Sequence, residues 1–378
     1  MTGSADWLWY LIGFLLVIGP LIFIHELGHY FVARAFGVKA EVFSIGFGRE
    51  IGGWTDRRGT RWKLCWLPIG GYVRFAGDMS PASEPTKEWL SLPPEERART
   101  FQAKPLWQRF LIVLAGPMTN IAFAVLVLSG FVLAYGAPRT PPVVDMVKPG
   151  SAAEAAGIQR GDRILSVAGT EVHVFEDIAP LVILHPNEPL LVRFERGGQP
   201  QELTITPRPT TEEDKFGNQF RKGMLGIGPG ERPEFAPVPV LQVVPTAIGQ
   251  TWRIITLSLE GVGQILTGKR SLQELGGPLK IAKFSGEQTS QGPISYISFV
   301  ALISINLGFI NLLPIPLLDG GHLLFYMIEG IRRKPMRPEA QEWAFRTGLA
   351  ALLALMVFVT LNDLASFGLW SKLGGLIG

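Results

Sequence analysis

The chain has 378 residues and a net charge of +3, with 47% hydrophobic and 18% charged residues. Because an average soluble domain carries about 25% charged residues, this composition excludes a disordered or strongly nucleic-acid-binding chain, and we expect no nucleic-acid partner. The 44 glycines and 29 prolines follow no collagen-like period, and the single cysteine, Cys65, excludes an intrachain disulfide framework.

The first predicted element is a membrane-spanning helix. Trp7 to Ile24 is a stretch of 18 residues without a charge, which is long enough to cross a bilayer. A cleaved signal peptide is the competing interpretation, but it needs a basic segment and a small-residue cleavage site that this stretch lacks.

The span runs directly into a metal-binding pattern, HELGH at residues 25–29. His25 and His29 are four positions apart, so on a helix both imidazoles lie on one face and can bind one ion. Glu26 follows the first histidine, where its carboxylate can take a proton from a water on that metal. A solvated helix face is the alternative, but ionisable residues beside an apolar span need partners, which favours a functional site.

A basic segment separates the first span from the second. Thirteen Lys and Arg residues lie between positions 34 and 109, whereas Phe110 to Tyr135 is uncharged over 26 residues. A break at Gly116-Pro117 is tolerated if neighbouring helices bond the freed backbone groups. We interpret Asn120, in the same span, as a helix-packing contact rather than a catalytic group.

The next segment, residues 136–290, is predicted to be a soluble module followed by an amphipathic helix. PGSAAEAAGIQRGDRILSVAGTEV, at 149–172, resembles a PDZ domain of the bacterial periplasmic type, and Leu190 to Glu195 with Glu202 to Thr206 predicts a β-hairpin. Such domains capture a peptide by strand addition; a spacer that binds nothing is the alternative. Pro142 to Val147 is predicted as a strand. Thr246 to Leu266 is predicted as an interfacial helix rather than a fifth crossing, because it contains two central charges.

The last two spans bring a candidate third ligand. Gln288 to Leu318 is too long for one straight crossing, so Pro314 and Pro316 predict a kinked helix. Asp319 follows this span, and Thr347 to Leu361 is a short fourth span. His322, three positions after Asp319, is a less favoured fourth ligand, since catalytic zinc keeps that position for water.

Basic residues predict the orientation of the four spans. The loop before the second span is basic, and so is the loop before the fourth, with Arg332, Arg333, Lys334 and Arg337. Both loops are therefore expected in the cytoplasm, with the termini and residues 136–290 outside. The first and third spans then run in the same direction, which places the HELGH motif and Asp319 in the same leaflet.

Together these motifs resemble those of site-2 proteases, the intramembrane zinc metalloproteases, and within that family the bacterial RseP-like group, which cleaves anti-sigma factors. The matching elements are HELGH at 25–29, FSIGFG at 43–48, LPIGGYV at 67–73, GPMTN at 116–120, GGPLKIA at 276–282 and NLLPIPLLDGG at 311–321. The resemblance implies a zinc ion (Zn2+) held by His25, His29 and Asp319, with Glu26 as general base. It departs in one respect, because the RseP arrangement has two PDZ modules and this chain has room for one.

The resemblance also implies how a substrate is held. FSIGFG would be a membrane-associated loop, and Arg61 to Phe75 a β-hairpin that presents an edge to an extended substrate. A transmembrane substrate must unwind locally before cleavage, and its freed backbone groups need partners that lipid does not supply. Candidate substrate-binding residues are therefore Asn311, Gly46, Gly70 and Gly71. For Asn311, satisfying backbone freed by Pro314 is an equally open alternative.

The predicted fold class is an α-helical membrane protein with four transmembrane helices, an inserted periplasmic PDZ-like α+β domain and a cytoplasmic-side β-hairpin and loop region. The predicted segments are 1–135, 136–210, 211–290 and 291–378. The hypothesis is an intramembrane zinc endopeptidase of the bacterial inner membrane that cleaves single-span, anti-sigma-factor-like proteins. A noncatalytic PDZ-bearing adaptor is the alternative; metal transport is weaker, because the ionisable residues cluster at one depth.

Overall fold

The computed structural model describes residues 4–77, 91–213, 219–229, 235–268 and 276–366. Within them, four helices are long and apolar enough to cross a membrane, which confirms the predicted number. The chain divides into two compact units, residues 1–128 with 276–363 and residues 129–275 with 364–378. The domain boundaries proposed from the sequence stay predictions.

The described helices, in chain order, are α1 (Ser4–Ala35), α2 (Pro94–Arg97), α3 (Leu106–Tyr135), α4 (Ala152–Ala156), α5 (Ile178–Ile183), α6 (Val240–Leu266), α7 (Pro278–Ser290), α8 (Pro293–Leu312), α9 (Asp319–Arg332) and α10 (Pro338–Ser366). The described strands are β1 (Ala40–Thr55), β2 (Arg61–Phe75), β3 (Ala137–Pro138), β4 (Met146–Val147), β5 (Arg163–Val167), β6 (Thr170–Glu171), β7 (Leu190–Arg196), β8 (Gln199–Ile205), β9 (Arg208–Glu213), β10 (Gln219–Met224), β11 (Ile227–Gly228) and β12 (Phe235–Ala236). The four candidate spans lie in α1, α3, α8 and α10.

In the first unit, α1 continues without a break from the apolar span through HELGH to Ala35. Glycines let neighbouring helices approach it closely, as is common between helices in membranes. A Cβ on Gly28 would lie 2.8 Å from the carbonyl carbon of Ala115 in α3, and a Cβ on Gly13 would lie 2.8 Å from the backbone nitrogen of Gly286 in α7. Both contacts leave no room for a side chain, so α1 is packed between α3 and α7.

The third predicted span is not one kinked helix, and this prediction was wrong. Gly292, with φ +109°, separates α7 from α8. Helix α8 then ends at Leu312, and α9 begins only at Asp319. Pro314 and Pro316 lie in this gap, and because neither has a backbone N–H to donate, they end the helix instead of bending it.

Residues 40–75 form a small, bent sheet, which corrects two expectations. FSIGFG, expected as a loop, lies in β1, and residues 61–75, expected as a hairpin, form β2, whose partner is β1. Residues 42–45 lie opposite 71–74 on one side and opposite 61–64 on the other. The pairing of these distant segments outweighs the local tendency of a glycine-rich stretch to form a loop.

A carboxylate fixes the turn between β1 and β2. Asp56 accepts hydrogen bonds from the backbone N–H groups of Arg58 and Thr60, both at 2.9 Å, from Trp62 Nε1 at 3.1 Å and from the Tyr30 hydroxyl at 3.4 Å. Burial acts to raise the pKa of Asp56, but these hydrogen bonds to the charged form outweigh it and lower the pKa. The ionised carboxylate therefore ties the turn to α1.

Helix α10 is tied to the start of α7 by a buried acid. Asp363, which is fully buried, accepts the backbone N–H groups of Gly277 at 3.1 Å and Lys280 at 3.2 Å. The Lys280 ammonium lies 3.8 Å from the same carboxylate. Because the first N–H groups of a helix lack partners within it, this distant carboxylate serves as the cap of α7.

The second unit contains a four-stranded sheet in the order β6-β5-β7-β8. The predicted hairpin is present as β7 and β8, whereas only the end of the strand predicted at Pro142 to Val147 forms β4, which pairs with β11. Ser151 caps the short helix α4 and Gly157, at φ +90°, ends it. The sheet and helices enclose one apolar core, whose fully buried members include Val144, Val167 and Ile205.

Helix α6 docks onto this core through polar contacts. Arg253 forms an ion pair with Asp177 and donates to the carbonyl of Glu176 at 3.0 Å, while His185 lies 2.9 Å from the carboxylate of Glu260. Arg253 and Glu260, the two charges that argued against a fifth crossing, therefore both contact polar side chains within this unit.

Candidate metal centre

Helix α1 places three ionisable side chains on or beside one buried face. His25 and His29 are one turn apart, and His25 and Glu26 are each only 9% exposed. The ring of His29 is held by α3, because its Nδ1 lies 2.8 Å from the carbonyl oxygen of Ile112. A carbonyl can only accept, so Nδ1 carries the proton and Nε2 is left with a lone pair.

Asp319 completes a triangle of ligand atoms with the two histidines. Its Oδ2 lies 3.1 Å from His25 Nε2 and 3.4 Å from His29 Nε2, and the two Nε2 atoms are 3.3 Å apart. These three atoms, called here the ligand triangle, form the group of metal-binding side chains found in the described residues. Two imidazole nitrogens and a carboxylate oxygen converge on one point, a donor set that suits a cation.

The ligand triangle fits one face of a tetrahedral zinc site. Bonds of about 2.0–2.2 Å from zinc to nitrogen and oxygen place tetrahedral ligand atoms about 3.3–3.6 Å apart. The observed separations of 3.1, 3.3 and 3.4 Å agree to within about 0.2 Å. Asp319 Oδ2 is also buried, and its near neighbours are the Nε2 atoms of the two histidines. The donor set and its spacing therefore suit zinc.

The start of α9 sets the position of Asp319. Asp319 is the first residue of the helix, and two glycines follow it. A Cβ on Gly320 would lie 2.5 Å from the carbonyl carbon of Leu312, and a Cβ on Gly321 would lie 2.5 Å from the carbonyl oxygen of Ile315. The DGG sequence thus lets the helix start pack directly on the proline-containing turn, which aims Asp319 at α1.

Glu26 faces a cavity beside the ligand triangle. Its carboxylate accepts the backbone N–H of Val73 in β2, and its Cγ lies 3.1 Å from where a Cβ of Gly71 would stand. The cavity, called here the metal-site cavity, has a volume of about 400 Å³. Its lining includes His25, Glu26, His29, Gly71, Val73, Asn311, Asp319 and His322.

The predicted substrate-binding residues divide into two groups. Asn311 and Gly71 line the metal-site cavity, although the Asn311 amide also donates to the Leu307 carbonyl at 3.0 Å. Gly46 and Gly70 are not among the cavity-lining residues in the described part of the chain. Gly46, at φ +87°, packs against the carbonyl of Cys65, and Gly70 packs against the ring of Phe47. His322 lines the cavity but is not part of the ligand triangle.

Two residues of GPMTN in α3 contact the histidines, which the sequence interpretation missed. A Cβ on Gly116 would lie 2.5 Å from Cε1 of His29, so only glycine leaves space for that ring. Asn120 is fully buried, and its Nδ2 lies 3.3 Å from Nδ1 of His25. Gly116 and Asn120 are four positions apart, as are His25 and His29, and this matched spacing is the signal that could have paired the two helices.

Comparisons with known proteins agree with this geometry. The profile of peptidase family M50 matches residues 13–355, a range that contains every member of the ligand triangle. A candidate zinc metalloprotease of Rhizobium meliloti is 42% identical over 355 residues, which cover 93% of this chain and 95% of that protein. One from Agrobacterium fabrum is 41% identical over 364 residues, covering 94% and 96%. Metalloprotease MmpA of Caulobacter vibrioides is 37% identical over 396 residues, covering 97% and 100%.

Proposed function

The chain belongs to peptidase family M50, and from this premise we propose that it is an intramembrane endopeptidase that cuts the transmembrane segment of single-span proteins. Family membership makes it a zinc metalloprotease that acts on membrane proteins. The observation that carries the proposal is the ligand triangle, whose two histidines lie on a helix long and apolar enough to cross a membrane.

In this proposal His25, His29 and Asp319 hold the zinc ion. Three protein ligands leave the fourth position open, as in other catalytic zinc sites, and His322 stays outside the ligand set. Bound zinc supplies a Lewis acid that polarises the scissile carbonyl and makes water a better nucleophile near neutral pH. The buried setting of the ligand triangle strengthens this effect, because little water screens the charges.

Glu26 is proposed as the general base. It follows the first ligand along α1, and the Val73 N–H holds its carboxylate toward the metal-site cavity. One accepted hydrogen bond leaves other lone pairs of the carboxylate available for a proton. Glu26 would take the proton of the attacking water and then deliver it to the leaving amine, a role that typically contributes about 10²–10⁴-fold in rate.

The strand edge at residues 71–74 is proposed to hold the unwound substrate. These residues pair with 42–45 on one side. On the other side Gly71, Tyr72 and Val73 line the metal-site cavity. An extended substrate segment can add to such an edge through main-chain hydrogen bonds, which lipid cannot provide. The absence of a side chain at Gly71 lets this edge pack directly against Ile22 and Glu26 of α1, which keeps the edge beside Glu26.

The basic residues of two loops support a bacterial inner-membrane location, with residues 34–109 and 332–337 in the cytoplasm and the termini in the periplasm. Helix α6 exposes Leu241, Ile248 and Trp252 along one side, which supports a position at the membrane interface. The resemblance to the RseP-like group supports anti-sigma factors as substrates, in regulated intramembrane proteolysis.

We also propose that the second unit is a PDZ-like module that binds a peptide. An apolar groove of about 320 Å³ lies between α5 and the strands β10 and β11. Ala179, Val182 and Leu225 are among its lining residues. A helix and a strand that flank an apolar groove can accept a peptide by strand addition. The alternative of a purely noncatalytic adaptor is not favoured by membership of a peptidase family.

Cleavage of a single-span protein in proteoliposomes tests the proposed function. Glu26→Gln is expected to bind one zinc ion and to lose about 10²–10⁴-fold of the cleavage rate, because the amide cannot accept the proton. Glu95→Gln, a matched change at an exposed glutamate of α2, should cleave at the parent rate. Cleavage at the parent rate by Glu26→Gln would show that Glu26 is not the general base.

A further inference from the structure

The two histidines of the ligand triangle have different partners at Nδ1. His29 faces the Ile112 carbonyl, which can only accept a hydrogen bond. His25 faces the side-chain amide of Asn120, whose Nδ2 lies 3.3 Å from His25 Nδ1. An amide NH₂ can only donate, so this arrangement makes His25 Nδ1 the acceptor and puts the ring proton on Nε2. That proton would then point into the ligand triangle.

This arrangement is incompatible with His25 as a zinc ligand. A neutral imidazole binds zinc through a nitrogen lone pair, so a ligating Nε2 requires the proton on Nδ1. The partner of Nδ1 must then be an acceptor. Histidine ligands in metal sites generally donate their second N–H to a carboxylate, a carbonyl or a water, which fixes the tautomer and the ring orientation.

Asn120 carries such an acceptor within reach. Its Oδ1 is buried and has no hydrogen-bond partner among the residues that the structure describes, which is rare for a buried polar atom. A half-turn of the amide about its last bond exchanges Oδ1 and Nδ2 while the rest of the side chain stays in place. The turned amide accepts from His25 Nδ1, so the oxygen gains a partner, while the NH₂ group takes the place that the oxygen held.

The backbone of Asn120 is anchored so that this movement is confined to the amide. The residue is fully buried, and Ser304 Oγ in α8 donates to its backbone carbonyl at 2.9 Å. The neighbouring Gly116 contact holds the ring of His29 on the same face of α3.

We propose, on the basis of the proposed zinc site, that Asn120 is a positioning residue that presents Oδ1 to His25 Nδ1 and thereby holds His25 as the tautomer that binds zinc. Asn120 does not touch the metal or the substrate. It acts on His25 as the Ile112 carbonyl acts on His29. Removal of such a partner typically weakens metal binding about 10–100-fold.

Zinc affinity of the purified full chain, measured by competition with a chromophoric chelator, tests this assignment. Asn120→Leu keeps the size of the side chain and removes the acceptor, so its Kd for zinc should rise about 10–100-fold. Asn120→Asp keeps an acceptor and should bind at least as tightly as the parent. Asn362→Leu, the same chemical change in α10 at a residue outside the described lining of the metal-site cavity, should leave the zinc Kd unchanged.

The outcomes separate the positioning role from packing and from the zinc site itself. Parent-like affinity in Asn120→Leu, or equal weakening in Asn120→Leu and Asn120→Asp, overturns the proposal. Absence of stoichiometric zinc in the parent, or parent-like affinity for zinc in His25→Ala, overturns both the proposed zinc site and the role of Asn120. A second measurement needs no variant and so does not depend on how the variants fold. In ¹⁵N-histidine NMR of the zinc-loaded parent, we expect a proton on His25 Nδ1; an Nδ1 without a proton contradicts the proposal.

Discussion

Replacing Gly116 with alanine perturbs the metal centre through one added carbon. The new Cβ would stand 2.5 Å from Cε1 and 2.8 Å from Cδ2 of His29. Carbon atoms in contact are ordinarily about 3.5–4.0 Å apart, so the ring must move by about 1 Å. The Nδ1 bond to the Ile112 carbonyl, at 2.8 Å, opposes that movement. The ring cannot keep both this bond and its place in the ligand triangle.

The size of the effect follows from the tolerance of a zinc site. Ligand distances in such sites vary by only about 0.2 Å, and a misplacement of about 1 Å in a catalytic group typically costs about 10²-fold in rate. Gly116→Ala should therefore lower kcat/KM for a single-span substrate about 100-fold and weaken zinc binding. The fold should survive, because alanine is about 0.5–1 kcal/mol more favourable than glycine within a helix.

Gly130→Ala is the matched control, because it lies on the same helix and a Cβ there meets no atom within 4 Å. Both variants are assayed for zinc content, Tm and cleavage in proteoliposomes. We expect a loss of zinc and of cleavage in Gly116→Ala alone. Equal zinc content and equal cleavage in the two variants would show that α3 does not position His29.

Three further changes probe the fold and the metal. Asp363→Ala should lower Tm, because the buried N–H groups of Gly277 and Lys280 lose their acceptor and each unsatisfied group costs about 1–3 kcal/mol of stability. An unchanged Tm would contradict the role of Asp363 as the cap of α7. Asp56→Asn should have a lower Tm than the parent at neutral pH. This difference in Tm should shrink as the pH falls below 3.8, the ordinary pKa of the Asp56 carboxyl, because a lowered pKa means that only the ionised carboxylate stabilises the fold. A difference in Tm that does not change with pH would contradict this role of Asp56. Removal of zinc with a chelator should lower the Tm of the parent but not of His25→Ala, because zinc stabilises only the state that binds it.

The sequence was most informative where local spacing determines the chemistry. The i, i+4 spacing of His25 and His29 needs only a helix, and α1 supplies it. Asp319 could be matched to them across nearly three hundred residues because charge-based orientation placed both segments in one leaflet. In the structure the ligand atoms of these three side chains lie close enough together to bind one zinc ion.

The sequence was less informative where contacts between distant segments decide the structure. FSIGFG has the glycine content of a loop, yet it pairs with two separate parts of β2. Pro314 and Pro316 indicate a disturbance, but only the packing of Gly320 and Gly321 against the turn separates a helix end from a kink. The spacing of Gly116 and Asn120 could have paired α3 with α1, but it does not show that Asn120 meets His25, because that contact depends on how α3 faces α1.

X-ray absorption at the zinc K edge of the purified chain tests the central claim most directly. For the parent, one zinc ion is expected with two imidazole nitrogens and a carboxylate oxygen at about 2.0–2.2 Å. Asp319→Ala should lose the ion or the carboxylate oxygen from this shell. An identical zinc shell in the parent and in Asp319→Ala would contradict the assignment of His25, His29 and Asp319 as the metal ligands.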